Sequence, residues 1–443
     1  MSSSKFLCIA LCLLSMNLPA HAEKPNDSRN THNDSRSSGA LQRLDTGYTK
    51  EWGGKSIHQW IADLRHSDPT DRVAAMLALL NFKQAADAVP DVIKRLYEDG
   101  DASVRVKAAI FPRWVRAHDT DRTRIIRGLA HAVSHDPQSV VRYEAAITLQ
   151  SFCPFHYENK EERDALQDLV LGLRSTSTYE LREACIVTLM KAGVDPKTGP
   201  DPRVTDELVA HANPMFEAAT RVRIQAIMAL GVQGRPRDPR KFDSVMNVLK
   251  MPANFHSKRP SVRIWSHVAV IALEGKKDNK KELDTIAGYL KDREAATRIE
   301  AVMALGALGE KAQEYVSNIL DMLKREREDN PMLEAAVANA LGNMNNTGAN
   351  VLNALIKMTE EDKPERFPVI WSACNAFVAL GVNNAEVMKA LDKILDHKSL
   401  QAYQKKWIEK VKEELENPQR KKLVKETPKG LEKEVAPQQN KRR

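Results

Sequence analysis

The sequence is poor in aromatic residues, glycine and proline. Its 443 residues include only 8 Tyr, 10 Phe and 6 Trp, together with 19 Gly and 21 Pro. All-β folds draw on these aromatic and turn-forming residues, whereas a chain rich in Ala, Leu, Glu, Lys and Arg favours helices. The hydrophobic fraction of 42% is enough for a packed fold and excludes a wholly disordered chain.

Long apolar runs are also scarce, and the longest lies at the N-terminus. Lys5 precedes the apolar stretch 6–16, and Ala20-His21-Ala22 supplies the small residues of a cleavage site. These are the features of a signal peptide, so we expect residues 1–22 to be removed by cleavage after Ala22. No later run approaches the length of about 18 apolar residues typical of a spanning helix, so no transmembrane segment is expected in the mature chain. The mature protein is therefore predicted to be periplasmic or secreted.

Cysteines are few, and three of the five follow the predicted cleavage site: Cys153, Cys185 and Cys374. Three cysteines in a chain of this length do not form a disulfide framework. Cys185 and Cys374 lie in apolar helical patterns, which favours buried thiols. A bridge between Cys153 and Cys185 is the alternative that an oxidising compartment would allow.

Excess positive charge is confined to the ends of the chain. Of the formal net charge of +8, residues 418–443 carry +6 and Lys5 carries +1, which leaves about +1 for residues 23–417. A fold that grips nucleic acid presents a basic face, so nucleic acid is not an expected partner. The polar segment 23–50 and the basic tail 418–443 are both predicted to be disordered. An anionic envelope polymer or lipid is a candidate partner for the tail.

A repeat fills the region between these segments. An arginine is followed by Ala three positions on and Leu seven positions on, as in RVAAMLAL and RIEAVMAL, and we call this first position the anchor of each copy. Two further copies, from Glu334 and Ala373, keep an Ala-Leu-Gly ending without the arginine, and successive anchors are 33 to 41 residues apart. Amphipathic segments with helical spacing lie between the copies, so the unit is a helix pair. The arginine anchors are Arg72, Arg142, Arg182, Arg223 and Arg298, with degenerate copies from Arg105 and Arg263.

The runs DPTDRVAAMLALLNF (68–82) and DPQSVVRYEAAITL (136–149) resemble HEAT repeats, in particular those of the phycobilisome lyases. The segment 53–69 is similar to the openings of exported bacterial HEAT-repeat proteins. The resemblance implies an all-α, right-handed α-solenoid of about nine helix pairs over residues 51–417, closed by a C-terminal capping helix. It also implies a structural role for the arginine anchors, each bonding an Asp or a carbonyl of a neighbouring repeat, here Arg72 with Asp68.

Glycines recur near the ends of the copies. Gly231, Gly306, Gly342 and Gly381 each follow a leucine. A residue with positive φ is commonly needed just after a helix, and glycine adopts it without strain. We therefore expect these four glycines to end their helices.

Motifs for catalysis are not found. None of the twelve histidines is followed by Glu, whereas the HEAT-repeat hydroxylases use His-Glu pairs as iron ligands. Glycine-rich phosphate loops and the Gly-x-Ser-x-Gly elbow are also missing. His131 and His135 share one helix face, but zinc normally takes three or four ligands and no third is identifiable. The prediction is a protein that is not an enzyme and has no cofactor and no metal.

Three tryptophans are the candidate partner-binding residues. The position two after each anchor holds mostly polar or small residues, so we expect it to face solvent on the concave side. Trp265 occupies that position, and helical spacing places Trp114 and Trp371 near the same face. Exposed tryptophans are enriched in binding hot spots, although burial against loops or core is the alternative.

Together these features predict a non-catalytic, exported scaffold that binds a protein on its concave face. The alternative is a surface-association module that the basic tail tethers to the anionic envelope.

Overall fold

The structure, a computed structural model, describes residues 50–174, 178–195, 197–275, 278–326 and 330–417. The predicted signal peptide, nearly all of the predicted linker and the basic tail lie outside these ranges. Predictions about those segments therefore stay predictions. The described residues divide into two compact units, 50–256 and 257–417.

The first unit is built from helix pairs joined by short turns. Its helices are α1 (Ile57–Asp63), α2 (Pro69–Leu79), α3 (Val89–Glu98), α4 (Ala102–Ile110), α5 (Arg122–His135), α6 (Ser139–Leu149), α7 (Lys160–Arg174), α8 (Tyr179–Ala192), α9 (Pro202–Ala212), α10 (Thr220–Gln233), α11 (Pro239–Lys250) and α12 (Pro252–Phe255). Two antiparallel hairpins accompany them: β1 (Glu51–Trp52) with β2 (Lys55–Ser56), and β3 (Val194–Asp195) with β4 (Gly199–Pro200).

The second unit continues the same pattern. Its helices are α13 (Pro260–Glu274), α14 (Lys280–Gly288), α15 (Ala295–Leu308), α16 (Val316–Arg325), α17 (Pro331–Asn343), α18 (Ala349–Lys357), α19 (Phe367–Leu380), α20 (Ala385–Leu395) and α21 (Ala402–Glu416). In each unit the second helix of one pair packs on the second helix of the next, as α4 does on α6 and α17 on α19. This stacking is an all-α solenoid, as predicted.

All nine predicted copies are second helices, namely α2, α4, α6, α8, α10, α13, α15, α17 and α19. The predicted cap is a helix pair, because α20 packs beside α21. Among the described residues, no helix combines the length and the apolar character needed to cross a membrane.

The repeat pattern marks the core. The position three after the anchor is buried in every copy from Arg72 to Glu334, and it is most often alanine, as in Ala75, Ala226 and Ala301. Small side chains there let neighbouring helices approach closely, while the leucine one turn later fills the layer between them.

Three of the four glycines lie inside their helices, and two of these three set the helix spacing. A Cβ atom on Gly306 of α15 would stand 2.8 Å from the Cα of Ala340, and one on Gly342 of α17 would stand 2.8 Å from the Cα of Ala376. Contacts this short leave no room for a side chain against a neighbouring backbone. The prediction that these glycines end their helices is therefore wrong, and the same holds for Gly231, which is buried within α10.

The true helix ends correct the register of the ninth copy. Gly309, just after α15, has φ +58, and Gly381, just after α19, has φ +66, so Gly381 corresponds to Gly309. Since Ala376 packs on its neighbour as Ala340 does, the anchor of α19 is Ile370 and not Ala373. The Ala-Leu-Gly ending occurs twice in α15, and the predicted alignment used the wrong one of the two.

The three cysteines of the described chain are free thiols. The Cys153 Sγ atom lies 3.8 Å from the carbonyl oxygen of Thr188, and Cys185 is fully buried, so the alternative of a Cys153–Cys185 bridge is wrong. Burial raises the pKa of each of the three thiols to about 12. These cysteines are protonated and unreactive at neutral pH.

Candidate interaction surface

The arginine anchors and their bonding partners form a ladder that links consecutive repeats. The partner of Arg72, however, is not the predicted Asp68. The Arg72 guanidinium binds both carboxylate oxygens of Asp99 at 2.7 Å and donates to the carbonyls of His66 and Ser67. Asp68 instead accepts the backbone N–H of Thr70 at 2.8 Å and caps α2. The predicted Arg72–Asp68 pair is therefore wrong, because Asp68 is already used by its own helix.

Other anchors repeat this geometry. Their carboxylate partners lie in the turn that leads into the next second helix, which is how one side chain fixes two repeats together. The pairs are Arg105 with Asp136 at 2.7 Å, Arg182 with Glu217 at 2.9 Å and Arg298 with Glu326 at 2.7 Å. Arg142 donates to the carbonyl of Val133 at 2.7 Å. The Nε atom of Arg263 has no hydrogen-bond partner within the described ranges.

The ladder continues past α15 with its charges exchanged. Glu334, which stands at the anchor of α17, binds Arg366 through two hydrogen bonds of 3.0 and 2.7 Å. Arg366 lies in the turn before α19 and is only 3% exposed. The sequence pattern showed only the loss of arginine at position 334, because the compensating arginine is 32 residues away.

Trp265 is buried, with 4% exposure, so the expectation that it faces solvent is wrong. Its Nε1 atom donates to Glu300 at 2.8 Å, and the Ser261 hydroxyl donates to the other oxygen of Glu300 at 2.5 Å. Burial raises the pKa of Glu300, against the opposing effect of these two hydrogen bonds. The position two after the anchor thus faces the neighbouring second helix, since Glu300 holds the same position in α15.

Trp114 and Trp371 are exposed, at 63% and 39%, and they lie in different units. Trp114 follows α4, where the adjacent Arg113 binds Glu144 of α6 at 2.7 Å. That ion pair fixes the backbone from which Trp114 projects. The roles of both tryptophans in binding stay predictions.

Trp371 belongs to a cluster that the sequence reasoning did not assemble. Its ring centroid lies 6.0 Å from that of Trp407 on α21, and Phe367 meets Trp407 edge-to-face at 6.4 Å. Tyr403, one turn before Trp407 on α21, is 64% exposed. We call Phe367, Trp371, Tyr403 and Trp407 the aromatic surface.

The aromatic surface is held by packed elements. Ile408 and Val411 of α21 are buried, and so are Ile370 and Cys374 of α19. The rings therefore stand on two helices that are anchored in the core by neighbouring side chains. Rigid aromatic side chains in such a position offer large contact area at little entropy loss, which suits recognition of a partner.

The two histidines that share a helix face lie in contact with each other. The rings of His131 and His135 stack at 4.3 Å, and Tyr97 lies 5.3 Å from His131. Burial and the neighbouring His135 lower the pKa of His131. Within the described ranges, no group of three or more His, Cys, Asp or Glu side chains is placed to hold a metal ion.

Comparison with known proteins yields structural similarities only. No protein-family profile and no curated protein matches the chain. Among solved structures, the chain is similar to an engineered protein at 17% identity and a TM-score of 0.39, over 81% of this chain and 98% of that one. It is also similar to Kap95p from its complex with RanGDP, at 13% identity and a TM-score of 0.39, over 80% of this chain and 49% of Kap95p.

A further similar structure is that of Kap121p bound to Nup53p, with 12% identity and a TM-score of 0.38, over 79% of this chain and 38% of Kap121p. The chain thus spans half or less of the length of these two proteins. With TM-scores this low, none of the similarities says what this chain binds.

Proposed function

We propose that the protein is a non-catalytic, protein-binding scaffold that is exported from the cytoplasm. The observation that carries the proposal is the aromatic surface, on which Trp371 is 39% and Tyr403 is 64% exposed. Tryptophan and tyrosine dominate binding hot spots because they bury much apolar area and still offer a hydrogen-bonding group. Export is supported by the apolar stretch 6–16 and the small residues up to Ala22.

The aromatic surface suits a folded or extended protein partner better than a small molecule, because its rings lie on two helices and not in an enclosed pocket. Trp114 supplies a second candidate contact in the other unit. We place the partner on the second helices, which line the concave side in solenoids of this type.

A second candidate function rests on the tail. Residues 418–443 carry a net charge of +6, which favours attachment to an anionic envelope polymer or lipid. Such attachment weakens as salt rises, since it depends on exposed charge.

The experiment is affinity capture from the envelope fraction of the source organism, followed by mass spectrometry. We expect the wild type to recover a specific protein. The double variant Trp371→Ala, Tyr403→Ala should recover at least about tenfold less of it, since two hot-spot residues are removed. Tyr97→Ala, which removes an exposed tyrosine in the first unit, is the matched control and should recover the partner fully.

Equal recovery by all three proteins would reject the aromatic surface. A variant lacking residues 418–443 separates the two candidate functions. Under the scaffold proposal it captures the same protein, whereas under the tether proposal it loses a salt-sensitive association with anionic vesicles.

A further inference from the structure

A cavity of about 620 Å³ opens between α16 and α18 in the second unit. Its apolar lining includes Leu320 from α16, Leu333 from α17, and Ala354 and Met358 from α18 and its end. Leu320, Leu333 and Met358 are buried. A volume in this range is typical of pockets that enclose a small organic ligand.

The charged groups of the lining are almost all neutralised within the protein. Glu326 pairs with Arg298 at 2.7 Å, and Glu334 pairs with Arg366 at 2.7 Å. Asp321 binds Lys324 at 3.3 Å. The two ladder links thus end at this cavity, and their carboxylates have cationic partners.

Glu361 is neutralised in the same way. It binds Lys363 at 3.0 Å and lies 3.8 Å from the Arg366 guanidinium. Both cations hold the pKa of Glu361 below its usual value, the Lys363 hydrogen bond being the larger cause. None of the four lining carboxylates is therefore left to attract a cationic ligand.

Lys357 is the exception among these charges. It is exposed and lines the cavity, and within the described ranges its side-chain ammonium makes no ion pair or hydrogen bond. Asn350 and Asn353 precede it on α18 at positions that share its helix face, and both also line the cavity. One wall therefore presents an ammonium group and two side-chain amides above an apolar floor.

We propose that this cavity binds a monocarboxylate with an apolar body, of the class of medium-chain fatty acids. The carboxylate accepts hydrogen bonds from Lys357 and Asn353, and the hydrocarbon chain lies across Leu320, Leu333 and Met358. A charge-assisted hydrogen bond to an otherwise unpaired ammonium gives selectivity for an anion, and the apolar floor supplies the affinity. The binding is independent of the proposed scaffold function, since no residue of the aromatic surface lines the cavity.

The test is isothermal titration of the full-length protein with octanoate, octan-1-ol and octylamine at equal ionic strength. We expect octanoate to bind at least about tenfold more tightly than the other two, in line with a charge-assisted hydrogen bond. Lys357→Gln should remove that preference and leave the affinity for octan-1-ol unchanged.

Two further variants locate the site. Ala354→Leu narrows the cavity and should weaken all three probes. Lys389→Gln, which removes an exposed lysine from a neighbouring cavity of about 410 Å³, should change nothing. Thermal midpoints measured for each variant show whether it is folded.

The proposal is overturned if octan-1-ol binds as tightly as octanoate, or if octanoate affinity survives Lys357→Gln in a folded protein. The proposal is also overturned if octanoate affinity is lost in Lys389→Gln and kept in Lys357→Gln, because the site would then be the smaller cavity.

Discussion

The charge-exchanged link between Glu334 and Arg366 allows a double-mutant test of the ladder. Arg366 is 3% exposed and the Glu334 side chain is 21% exposed, so each reversal places like charges together in a largely dry environment. Removing one partner of a buried pair typically costs about 3–5 kcal/mol of unfolding free energy. We expect Glu334→Arg and Arg366→Glu, each alone, to destabilise the protein by about that amount, in the second unit.

The double variant restores an ion pair. Its arginine stands at the anchor and its carboxylate in the turn before the next second helix, as in the other ladder links. We expect it to recover about 2 kcal/mol or more relative to the sum of the single effects, as neighbouring charges couple. Recovery is incomplete because Glu361, 3.8 Å from Arg366, would face the new carboxylate.

The assay is urea denaturation followed by circular dichroism, with amide hydrogen exchange to localise the change to α17 and α19. Arg65→Glu is the control, since the Arg65 side chain in its pair with Asp91 is 71% exposed. Its effect should stay below about 1 kcal/mol. The reasoning fails if the single reversals cost no more than this control, or if the double variant is no more stable than the sum of the two single effects predicts.

Two further predictions concern packing and pH. Gly306→Ala should destabilise the protein by about 1–3 kcal/mol because its Cβ would meet the Ala340 backbone. Gly288→Ala, where the added Cβ meets open space, should stabilise it by about 0.4–1 kcal/mol. Equal urea midpoints for the two variants would contradict this prediction. Glu300→Gln should be at least as stable as the wild type at pH 7. Burial raises the pKa of Glu300 in the folded protein, so the protonated carboxyl group contributes to stability at low pH. This stabilisation is lost as the pH rises through the folded-state pKa. The advantage of the variant in thermal midpoint should therefore shrink towards pH 4, and an advantage that grows on acidification would contradict the assignment.

Much of the fold could be predicted because every repeat needs the same packing layer and therefore has a similar residue pattern. The arginine pattern identified seven of the nine second helices and the Ala-Leu-Gly ending identified the other two, since small side chains are needed wherever two helices approach. The register of α19 could not be predicted from the Ala-Leu-Gly motif, because that motif has two different roles. At Gly306 it allows close helix packing, and at Gly309 it ends a helix.

The candidate site was less accessible to sequence reasoning because it depends on contacts between repeats. Trp265 carries an indole N–H that Glu300, 35 residues later, can accept, and this pairing draws the ring into the interface. Trp371 and Trp407 come from different helices, so only the packing of α19 on α21 brings their rings within 6.0 Å. The exchange of charge at Glu334 was hidden for the same reason.

The central claim, that the aromatic surface contacts a protein partner, is tested most directly by site-specific photocrosslinking in the source organism. A benzophenone amino acid replaces Tyr403, or Tyr179 as a control of similar type that is 45% exposed in the first unit. The account predicts a discrete protein adduct from position 403 that is lost when Trp371→Ala is added, and no such adduct from position 179. No adduct from position 403, or the same adduct from both positions, would contradict it.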